Sequence, residues 1–363
     1  MFCNRFGELL IEWYLINKRE LPWRDTTDPY LIWISEIILQ QTRVKQGLDY
    51  YKKFVSRFPD ASSLAGAELE EVLKYWQGLG YYSRARNLHA AARQIMDIYE
   101  GVFPSEHKDI LSLKGVGEYT AAAIASFAFR QPHAVVDGNV YRVLSRYMGV
   151  DVPIDSPAGK KLFASLAAGL LDTKNPDTYN QAIMEMGALQ CVPQSPDCTV
   201  CPLKEGCVAN AEGRVQELPV KEGKTKVRDR WFNYLVLRYQ DKTWLHQRTG
   251  KDIWSHLYEF PLIETERSMG WEELINTPRF KAWFDSRRQL CVRPLLVDKK
   301  HILSHQRIHA SFYLVELQEP FHPGADSGYG DVGVPDAFIA CDWDDIDRYP
   351  VSRLTHLCIE QLG

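Results

Sequence analysis

The chain has 363 residues, which is long for one domain and enough for two domains that each bury a core. Hydrophobic residues make up 45% of it and charged residues 25%, as in an ordinary soluble globular protein. The net charge of −4 excludes a generally basic nucleic-acid-binding chain, so any DNA site must be a local surface.

The first residues are apolar but are interrupted by Glu8 and Glu12, a pattern that does not fit a secretory signal. No apolar run reaches membrane-spanning length. We therefore expect an intracellular protein, in the cytoplasm or the bacterial nucleoid, with no membrane partner.

A helix is expected from Asp28 through Arg43, and it carries Glu36 among apolar neighbours. A carboxyl group in such a place is costly unless it is paired, hydrogen-bonded or protonated, and acid catalysis needs the protonated form. The alternative is that Glu36 faces solvent on an amphipathic helix.

Residues 78–88 read GLGYYSRARNL, a glycine-flanked tyrosine pair followed by two arginines. Such rings can enter a base stack and such cations can meet phosphate, although most tyrosines of this kind belong to the core.

Residues 113–144 contain the most informative pattern. Gly115 and Gly117 flank a valine before an alanine-rich helix, and the free N–H groups at such a helix start bind phosphate. About twenty residues later Asp137 precedes a second helical pattern, which predicts a helix N-cap. Taken singly, the glycine turn is more often a plain connection and the aspartate a plain cap.

Everything before residue 189 reads as helical, and a cysteine loop follows. Its members, separated by six, two and five residues, are Cys191, Cys198, Cys201 and Cys207. Four thiolates in one loop can surround a tetrahedral zinc ion or an iron–sulfur cluster. The single Cys-x-x-Cys pair favours the iron–sulfur cluster over zinc.

The composition changes after the cysteine loop. Residues 211–230 are polar, with several Lys and Arg, and predict an exposed linker. Beyond them, strands are expected near 231–238, 243–248, 257–261, 295–297 and 309–317, with helices around 271–283 and after 353. This part therefore predicts an α+β domain.

Six segments together resemble the A/G-specific adenine DNA glycosylases, the MutY family of the endonuclease III superfamily. They are LPWR at 21–24, SEIILQQTRV at 35–44, GLGYYSRARNLH at 78–89, LKGVGEYTAAAI at 113–124, VDGNVYRVLSR at 136–146 and the cysteine loop. The resemblance implies a multidomain protein. An all-α helix-hairpin-helix DNA glycosylase domain (1–211) holds the hairpin at 113–137 and the iron–sulfur loop at 191–207. A linker (212–230) and an α+β Nudix-like domain (231–363) follow.

The resemblance also implies the reaction: a monofunctional glycosylase of base excision repair flips out and hydrolyses adenine opposite 8-oxoguanine or guanine in duplex DNA. Glu36 would protonate N7 of adenine, and Asp137 would stabilise the oxocarbenium-like sugar, with Tyr119 and Asn139 beside it. The two carboxyl groups then need opposite protonation states.

Further residues implied by the resemblance contact DNA or the metal. Gln41 and Tyr81 would intercalate, and Arg24 would line the base pocket. Phosphate would bind the backbone of Lys114, Gly115, Val116 and Gly117. A [4Fe-4S] cofactor would bind Cys191, Cys198, Cys201 and Cys207.

The lesion-reading loop implied by the resemblance is Leu303-Ser304-His305. The family usually has Phe-Ser-His there, so Leu303 puts the apolar wedge in doubt but leaves the polar pair intact. Ser304 and His305 can supply both a donor and an acceptor to 8-oxoguanine. An ordinary polar hairpin loop is the alternative.

Two other functions stay open from the sequence. One is an endonuclease III-like glycosylase with lyase activity on oxidised pyrimidines, which Tyr119 opposes because the lyases carry a lysine nucleophile there. The other is a non-enzymatic iron–sulfur DNA-binding or redox-sensing protein, which the presence of both Glu36 and Asp137 opposes. The Nudix-like domain has no glutamate-rich magnesium box near Gly250 and is expected to recognise the lesion. We expect a monomer.

Overall fold

The computed structural model describes residues 2–223, 227–284, 290–321 and 338–362, with side chains from residue 5 onward. The chain divides into two compact units, which are described separately. The first comprises residues 1–67 and 87–224, and the second comprises residues 68–86 and 225–363. Within the described ranges, no helix has the length and apolar character needed to cross a membrane.

Helices make up the regular structure of the first two thirds of the described chain, as expected. They are α1 (Phe2–Asn17), α2 (Pro29–Leu39), α3 (Val44–Arg57), α4 (Ala61–Ala65), α5 (Leu69–Trp76), α6 (Ser83–Ile98), α7 (His107–Ser112), α8 (Glu118–Phe129), α9 (Gly138–Met148), α10 (Pro157–Leu170), α11 (Pro176–Glu185) and α12 (Val208–Ala211). Short helical turns cover Pro22–Arg24, Met186–Gln190 and Lys204–Gly206.

The first unit has a core built from α1, α8, α9 and α11. Phe6 and Leu10 of α1 are at most 1% exposed, as are Val140 and Leu144 of α9. Ala121, Ala123 and Ala125 of α8 are fully buried, and their small side chains let neighbouring helices approach closely. Burial of each large apolar side chain stabilises this arrangement by about 1.5–3 kcal/mol.

Helix α2 begins where the sequence predicts but ends earlier. The Asp28 carboxylate accepts from the Tyr30 N–H at 2.8 Å, and Pro29 occupies the first turn. The helix stops at Leu39, so the expected continuation through Arg43 is wrong. Gln40, the C-cap, has non-helical backbone angles, and Gln41 has a left-handed φ of 58°.

The second unit contains seven described strands in two sheets. The strands are β1 (Arg228–Arg238), β2 (Lys242–Gln247), β3 (Tyr258–Glu259), β4 (Leu262–Thr265), β5 (Cys291–Ile302), β6 (Gln306–Glu316) and β7 (Phe338–Asp342). Besides α5, the helices of this unit include α13 (Trp271–Leu274), α14 (Pro278–Trp283) and α15 (Arg353–Leu362), with a 3₁₀ turn at Trp343–Arg348. Strands β4 and β7 are additions to the sequence prediction.

The larger sheet has the order β4-β1-β6-β5, and the smaller has the order β3-β2-β7. Strand β1 runs parallel to β6 and antiparallel to β4, whereas β5 and β6 form an antiparallel hairpin. Because side chains alternate along a strand, β1 serves two cores. Phe232 and Tyr234 enter the core that includes α15, and Leu235 and Leu237 enter the core that includes α13 and α14.

Residues 68–86, which lie within the predicted helical domain, group with the second unit. The Tyr258 hydroxyl donates to Oε1 of Glu70 at 2.5 Å, and the Arg86 guanidinium donates to the Ser255 carbonyl at 2.8 Å. The predicted limits 1–211, 212–230 and 231–363 remain predictions. Residues 224–226 of the predicted linker lie outside the described part of the chain.

Candidate active site

A cavity of about 780 Å³ opens within the first unit, walled by residues of α2, α8, α9 and α11. Its volume lies in the range of small-molecule sites. Six residues singled out from the sequence line it: Arg24, Glu36, Gln41, Tyr119, Asp137 and Asn139. The fold thus gathers the four predicted catalytic residues in one place.

Glu36 lies in the last turn of α2 and is 7% exposed, so the alternative of a solvent-facing Glu36 is wrong. The Tyr119 hydroxyl donates to its Oε2 at 2.7 Å. Burial raises the pKa of Glu36 to about 7; the negative charge of Asp137 acts in the same direction, and the Tyr119 hydrogen bond opposes it. Glu36 therefore exchanges its proton near neutral pH.

Asp137 is the N-cap of α9, as the sequence predicts. Its Oδ1 accepts from the N–H groups of Asn139 and Val140 at 2.9 and 2.8 Å. Its Oδ2 accepts from the Asn139 side-chain amide at 2.8 Å. Asn139 is in turn held by a 2.9 Å hydrogen bond from Arg142 to its Oδ1.

The sequence predicts environments that favour opposite protonation states for Glu36 and Asp137, and the pKa of Asp137 departs from this expectation. Burial raises the pKa of Asp137, although its hydrogen bonds from Val140 and Asn139 lower it. The two carboxyl groups are thus both shifted upward. Asp137 accepts three hydrogen bonds from N–H groups, and these donors favour its anion against the effect of burial.

Arg24 is held in the cavity wall by Glu185, a residue that the sequence did not single out. Its guanidinium donates to Oε1 and Oε2 of Glu185 at 2.9 and 2.7 Å, and Arg19 also donates to both oxygens. Burial opposes ionisation of Glu185, but the hydrogen bonds from Arg19 and Arg24 win and lower its pKa to about 2. No local signal in the sequence connects residues 161 positions apart.

Gln41 lies at the edge of the cavity and is exposed. Its left-handed φ of 58° is uncommon for a residue with a side chain. Such conformations concentrate at functional sites, where the surrounding structure supports the strain.

The hairpin at 113–117 needs glycine at one of its two glycine positions. Gly115 has a φ of 77°, and a Cβ there would lie 2.5 Å from the Asn87 side chain. Gly117 precedes α8 with an extended backbone and open space around its Cα. Close approach therefore explains Gly115 but not Gly117.

The four predicted phosphate donors of this hairpin are not equally available. The Lys114 N–H donates to Oε1 of Gln94 at 3.1 Å, and the Val116 N–H donates to the Leu113 carbonyl at 3.1 Å. In the described part of the chain, the N–H groups of Gly115 and Gly117 have no such partner. This narrows the prediction to two backbone donors.

The four cysteines of the loop line one small cavity of about 30 Å³ in the first unit. The buried Arg146 guanidinium lies beside them, with Nη1 3.4 Å from the Cys191 sulfur. It also donates to the carbonyls of Val192 and Pro193 at 2.8 and 2.9 Å, which fixes the start of the loop. A cation there can offset thiolate charge.

The donor set therefore fits a thiolate-bound metal group in its chemistry: four sulfurs and one adjacent cation. In the ranges that the structure describes, no three His, Cys, Asp or Glu side chains are arranged to hold a metal ion. The four cysteines are free thiols that share a cavity.

The remaining predicted residues lie in the second unit. The loop 303–305 connects β5 to β6, as expected, and the hydroxyls of Ser304 and Tyr81 share a hydrogen bond. Tyr81 is 49% exposed and, like Gln41, has a left-handed φ, here 47°. The interpretation of Tyr81 as a core residue is therefore wrong.

Within this loop, Ser304 and His305 are exposed, but Leu303 is half-buried and packs against the core of the second unit. Its N–H donates to the Gln306 carbonyl at 2.8 Å, which closes the turn. Leu303 therefore anchors the loop to the core of the second unit.

Two family models match the chain. Residues 34–163 match the HhH-GPD superfamily of base excision DNA repair proteins, and residues 233–361 match the NUDIX domain.

Among the curated relatives, an adenine DNA glycosylase of Buchnera aphidicola (subsp. Acyrthosiphon pisum) is 36% identical over 328 residues, covering 88% of this chain and 94% of the relative. That of Buchnera aphidicola (subsp. Schizaphis graminum) is 37% identical, covering 72% of this chain and 76% of the relative. The adenine DNA glycosylase of Rattus norvegicus is 42% identical over 226 residues, covering 59% of this chain and 44% of the relative.

Solved structures match the helical part. A thermostable thymine-DNA glycosylase has a TM-score of 0.54 and 30% identity, covering 58% of this chain and 97% of that one. Endonuclease III in a non-covalent DNA complex has a TM-score of 0.50 at 22% identity, with the same coverage, and supports the fold alone. The predicted helical glycosylase fold followed by a Nudix-like domain is confirmed.

Proposed function

This chain belongs to the adenine DNA glycosylase family, and we infer that it is a monofunctional glycosylase of base excision repair that hydrolyses the N-glycosyl bond of adenine. The observation that carries the assignment of its chemistry is the placement of Glu36 and Asp137 in the walls of one cavity. The substrate we propose is duplex DNA with adenine opposite 8-oxoguanine or guanine.

In this proposal Glu36 is the general acid. Adenine is a poor leaving group as an anion, so protonation at N7 must accompany cleavage of the C1′–N9 bond, whose electron pair leaves with the base. A pKa of about 7 lets Glu36 carry that proton at neutral pH and release it readily. The Tyr119 hydroxyl, 2.7 Å from Oε2, holds the carboxyl group in place.

Asp137 is the second carboxyl group of the reaction. Loss of adenine leaves positive charge on C1′ and the ring oxygen of the sugar, and a nearby carboxylate stabilises that charge. The hydrogen bonds from Asn139 and Val140 hold Asp137 as an anion in a fixed orientation. Water then adds to C1′ and loses a proton, which balances the proton that Glu36 gave to the base and completes hydrolysis.

Base recognition and extrusion use other cavity residues. Arg24, clamped by the buried Glu185, is a fixed cation at the base pocket. Gln41 and Tyr81 are exposed residues with left-handed backbone, and we assign them to the space that the flipped nucleotide leaves in the stack. The N–H groups of Gly115 and Gly117 are the phosphate donors.

Lesion recognition is assigned to the second unit. Ser304 and His305 project from the loop 303–305, and the hydrogen bond of Ser304 to Tyr81 ties the reading group to the intercalating ring. We propose that these polar groups contact the N7–H and O8 of 8-oxoguanine. The Nudix-like domain then recognises the lesion, while residues 1–211 carry the catalytic domain.

The cysteine loop would hold a [4Fe-4S] cluster through Cys191, Cys198, Cys201 and Cys207. Such a cluster would cross-link the loop; the reaction at adenine needs no electron transfer. Purified protein should be yellow-brown with about four irons per chain. Stoichiometric zinc in a colourless, active preparation made with iron available would contradict this assignment and favour the zinc alternative.

Single-turnover excision tests the function. Duplexes with adenine opposite 8-oxoguanine or guanine should lose adenine, and adenine opposite thymine should be retained. The abasic product should stay uncut until base is added, because Tyr119 offers no amine for a Schiff base. Incision without added base, on oxidised pyrimidines, would support the lyase alternative. Binding without any excision would support a DNA-binding protein. We expect a monomer acting on DNA inside the cell.

A further inference from the structure

The connection between α8 and α9, residues 130–137, carries Asp137 to its place in the cavity wall. It contains no helix or strand, so no regular ladder of hydrogen bonds fixes its direction. Val135 is 1% exposed and packs in the core of the first unit, whereas Val136 and Asp137 line the cavity. The backbone just before Asp137 therefore determines where its carboxylate is placed.

A buried amide on another helix holds this backbone. Asn180 of α11 is 1% exposed, and its Oδ1 accepts from the Val135 N–H at 3.2 Å. Its Nδ2 donates to the His133 carbonyl at 2.8 Å and to the Ser126 hydroxyl of α8 at 2.8 Å. Because the Val135 N–H can only donate and the His133 carbonyl can only accept, these partners determine the orientation of the amide.

Among the residues that the structure describes, no other side chain forms a hydrogen bond with the backbone of residues 133–136. The Gln131 side chain donates to the Ser105 carbonyl at 2.9 Å, but it holds the start of the connection, nearer to α8. On the other side of Asp137, its carboxylate caps α9. Asn180 and the packing of Val135 therefore hold the residues that lead into Asp137.

The two helices that Asn180 joins also carry other groups of the cavity. Tyr119 lies in the first turn of α8, and Glu185, which holds Arg24, is the last residue of α11. Asn180 thus fixes the Asp137 backbone relative to both helices. Asn180 itself lies outside the described lining of the cavity, so it does not touch the base or the sugar.

We propose that Asn180 is a positioning residue for Asp137: its amide fixes the backbone that carries this carboxylate, and thereby the distance of the carboxylate from C1′ of the sugar. The role rests on the proposed function, because it takes Asp137 as the group that stabilises the developing positive charge. The alternative is that Asn180 only satisfies two buried backbone groups. A displacement of about 1 Å at a reacting centre can cost about 10²-fold in rate.

Single-turnover excision by Asn180→Leu distinguishes the two roles. Leucine has the branched outline of asparagine, so the change removes the three hydrogen bonds and keeps the shape. At saturating enzyme, the rate on adenine opposite 8-oxoguanine should fall about 10- to 100-fold. Affinity should stay near that of wild type, because the charge that Asp137 stabilises develops only in the transition state.

The affinity is measured as Kd for a duplex with 2′-fluoro-2′-deoxyadenosine opposite 8-oxoguanine. The electron-withdrawing fluorine of this probe disfavours the oxocarbenium ion and blocks cleavage. Weaker binding with an unchanged rate at saturating enzyme would show that Asn180 supports the fold or the binding surface, and would overturn the proposal.

A double variant tests whether Asn180 acts through Asp137. Adding Asn180→Leu to Asp137→Asn should slow excision no further than Asp137→Asn alone, because the carboxylate to be positioned is already gone. If the two losses of rate multiply instead, Asn180 acts on something other than Asp137 and the proposal is overturned.

A matched control separates positioning from stability. Tyr30→Phe removes another buried hydrogen bond of the first unit, from the Tyr30 hydroxyl to the Phe58 carbonyl at 2.7 Å, outside the described cavity lining. It should lower Tm and leave the excision rate unchanged. A loss of rate comparable to that of Asn180→Leu would attribute both effects to stability and overturn the proposal.

A milder change serves if Asn180→Leu does not fold. Ser126→Ala removes only the hydrogen bond that the Asn180 amide donates to α8. It should fold and excise about threefold to tenfold more slowly, and an unchanged rate would then overturn the proposal.

The outcomes distinguish the role of Asn180 from the proposed function. A wild type that excises adenine, with a folded Asn180→Leu that is equally fast, overturns the positioning role and leaves the proposed function standing. A wild type that binds the duplex but excises no adenine contradicts the proposed function, and the role of Asn180 falls with it.

Discussion

The cavity of the first unit and the loop 303–305 of the second unit meet their proposed tasks in opposite ways. Around the cavity, Glu36 and Asp137 are already held by hydrogen bonds from Tyr119, Asn139 and Val140. In the loop, the side chains of Ser304 and His305 are exposed, and Ser304 shares a side-chain hydrogen bond with Tyr81.

The difference follows from what each region has to stabilise. A transition state lasts too briefly for groups to reorganise around it, so the catalytic groups must be oriented beforehand. A lesion base can supply its own hydrogen-bond partners on arrival, so a reading loop can stay exposed. Changes in the cavity should therefore alter rate, and changes in the loop should alter selectivity.

The largest effect is expected for Glu36→Gln and Asp137→Asn. Each should lower the single-turnover excision rate by about 10²–10³-fold, because each group acts on charge that develops in the transition state. Binding of the mispair should remain near normal. Glu106→Gln, a change of an exposed carboxylate, is the control and should excise normally. Excision within tenfold of wild type in either variant would refute the role of that residue.

The next largest effect concerns the contribution of Glu185, a residue of the cavity wall, to the free energy of unfolding. The pKa of Glu185 is lowered from 4.5 to about 2, so its ionised form stabilises the fold above pH 4.5 and this stability is lost as pH falls toward 2. The shift corresponds to about 3 kcal/mol at neutral pH, of which about 1 kcal/mol should be lost by pH 3.5.

Urea unfolding of wild type and Glu185→Gln at pH 7 and at pH 3.5 measures this contribution. The difference in unfolding free energy between the two proteins should shrink at the lower pH. If that difference does not change with pH, the ion pairs of Glu185 with Arg19 and Arg24 are not its cause.

The smallest effect is expected in the loop. Ser304→Ala/His305→Ala should slow excision opposite 8-oxoguanine by about 1–3 kcal/mol of lost polar contacts, with much less change opposite guanine. Leu303→Ala is the matched variant: Leu303 packs against the core, so it should lower stability more than selectivity. Equal slowing on both substrates by the double change would remove the loop from lesion reading.

Local patterns predicted much of this molecule. Neighbouring residues in the sequence indicate the N-cap role of Asp137 and the burial of Glu36. This works because caps and apolar periodicity act within one or two helical turns. The strand at 231–238 is likewise visible in a run of consecutive residues, whereas its two cores become apparent only in the folded structure.

Other features depend on contacts far apart in the chain and could not be predicted. Glu185 meets Arg24 across 161 positions, and Asn87 closes on Gly115 only in the folded structure. The assignment of residues 68–86 to the second unit depends on partners such as Val351, which accepts from the Tyr82 hydroxyl at 3.3 Å. The early end of α2 at Leu39 lies in a segment whose propensity alone favours continuation.

The central claim is that Glu36 acts as an acid while Asp137 is ionised, and the pH dependence of excision tests it most directly. With saturating enzyme, the single-turnover rate on adenine opposite 8-oxoguanine should be level just below pH 7 and should fall in more acid solution, where Asp137 takes up a proton. Above pH 7 it should fall toward tenfold per unit, because a pKa of about 7 leaves less protonated Glu36. Glu36→Gln should be slow and lack this decline. A rate that rises through pH 7, or a decline that survives in Glu36→Gln, would contradict the account.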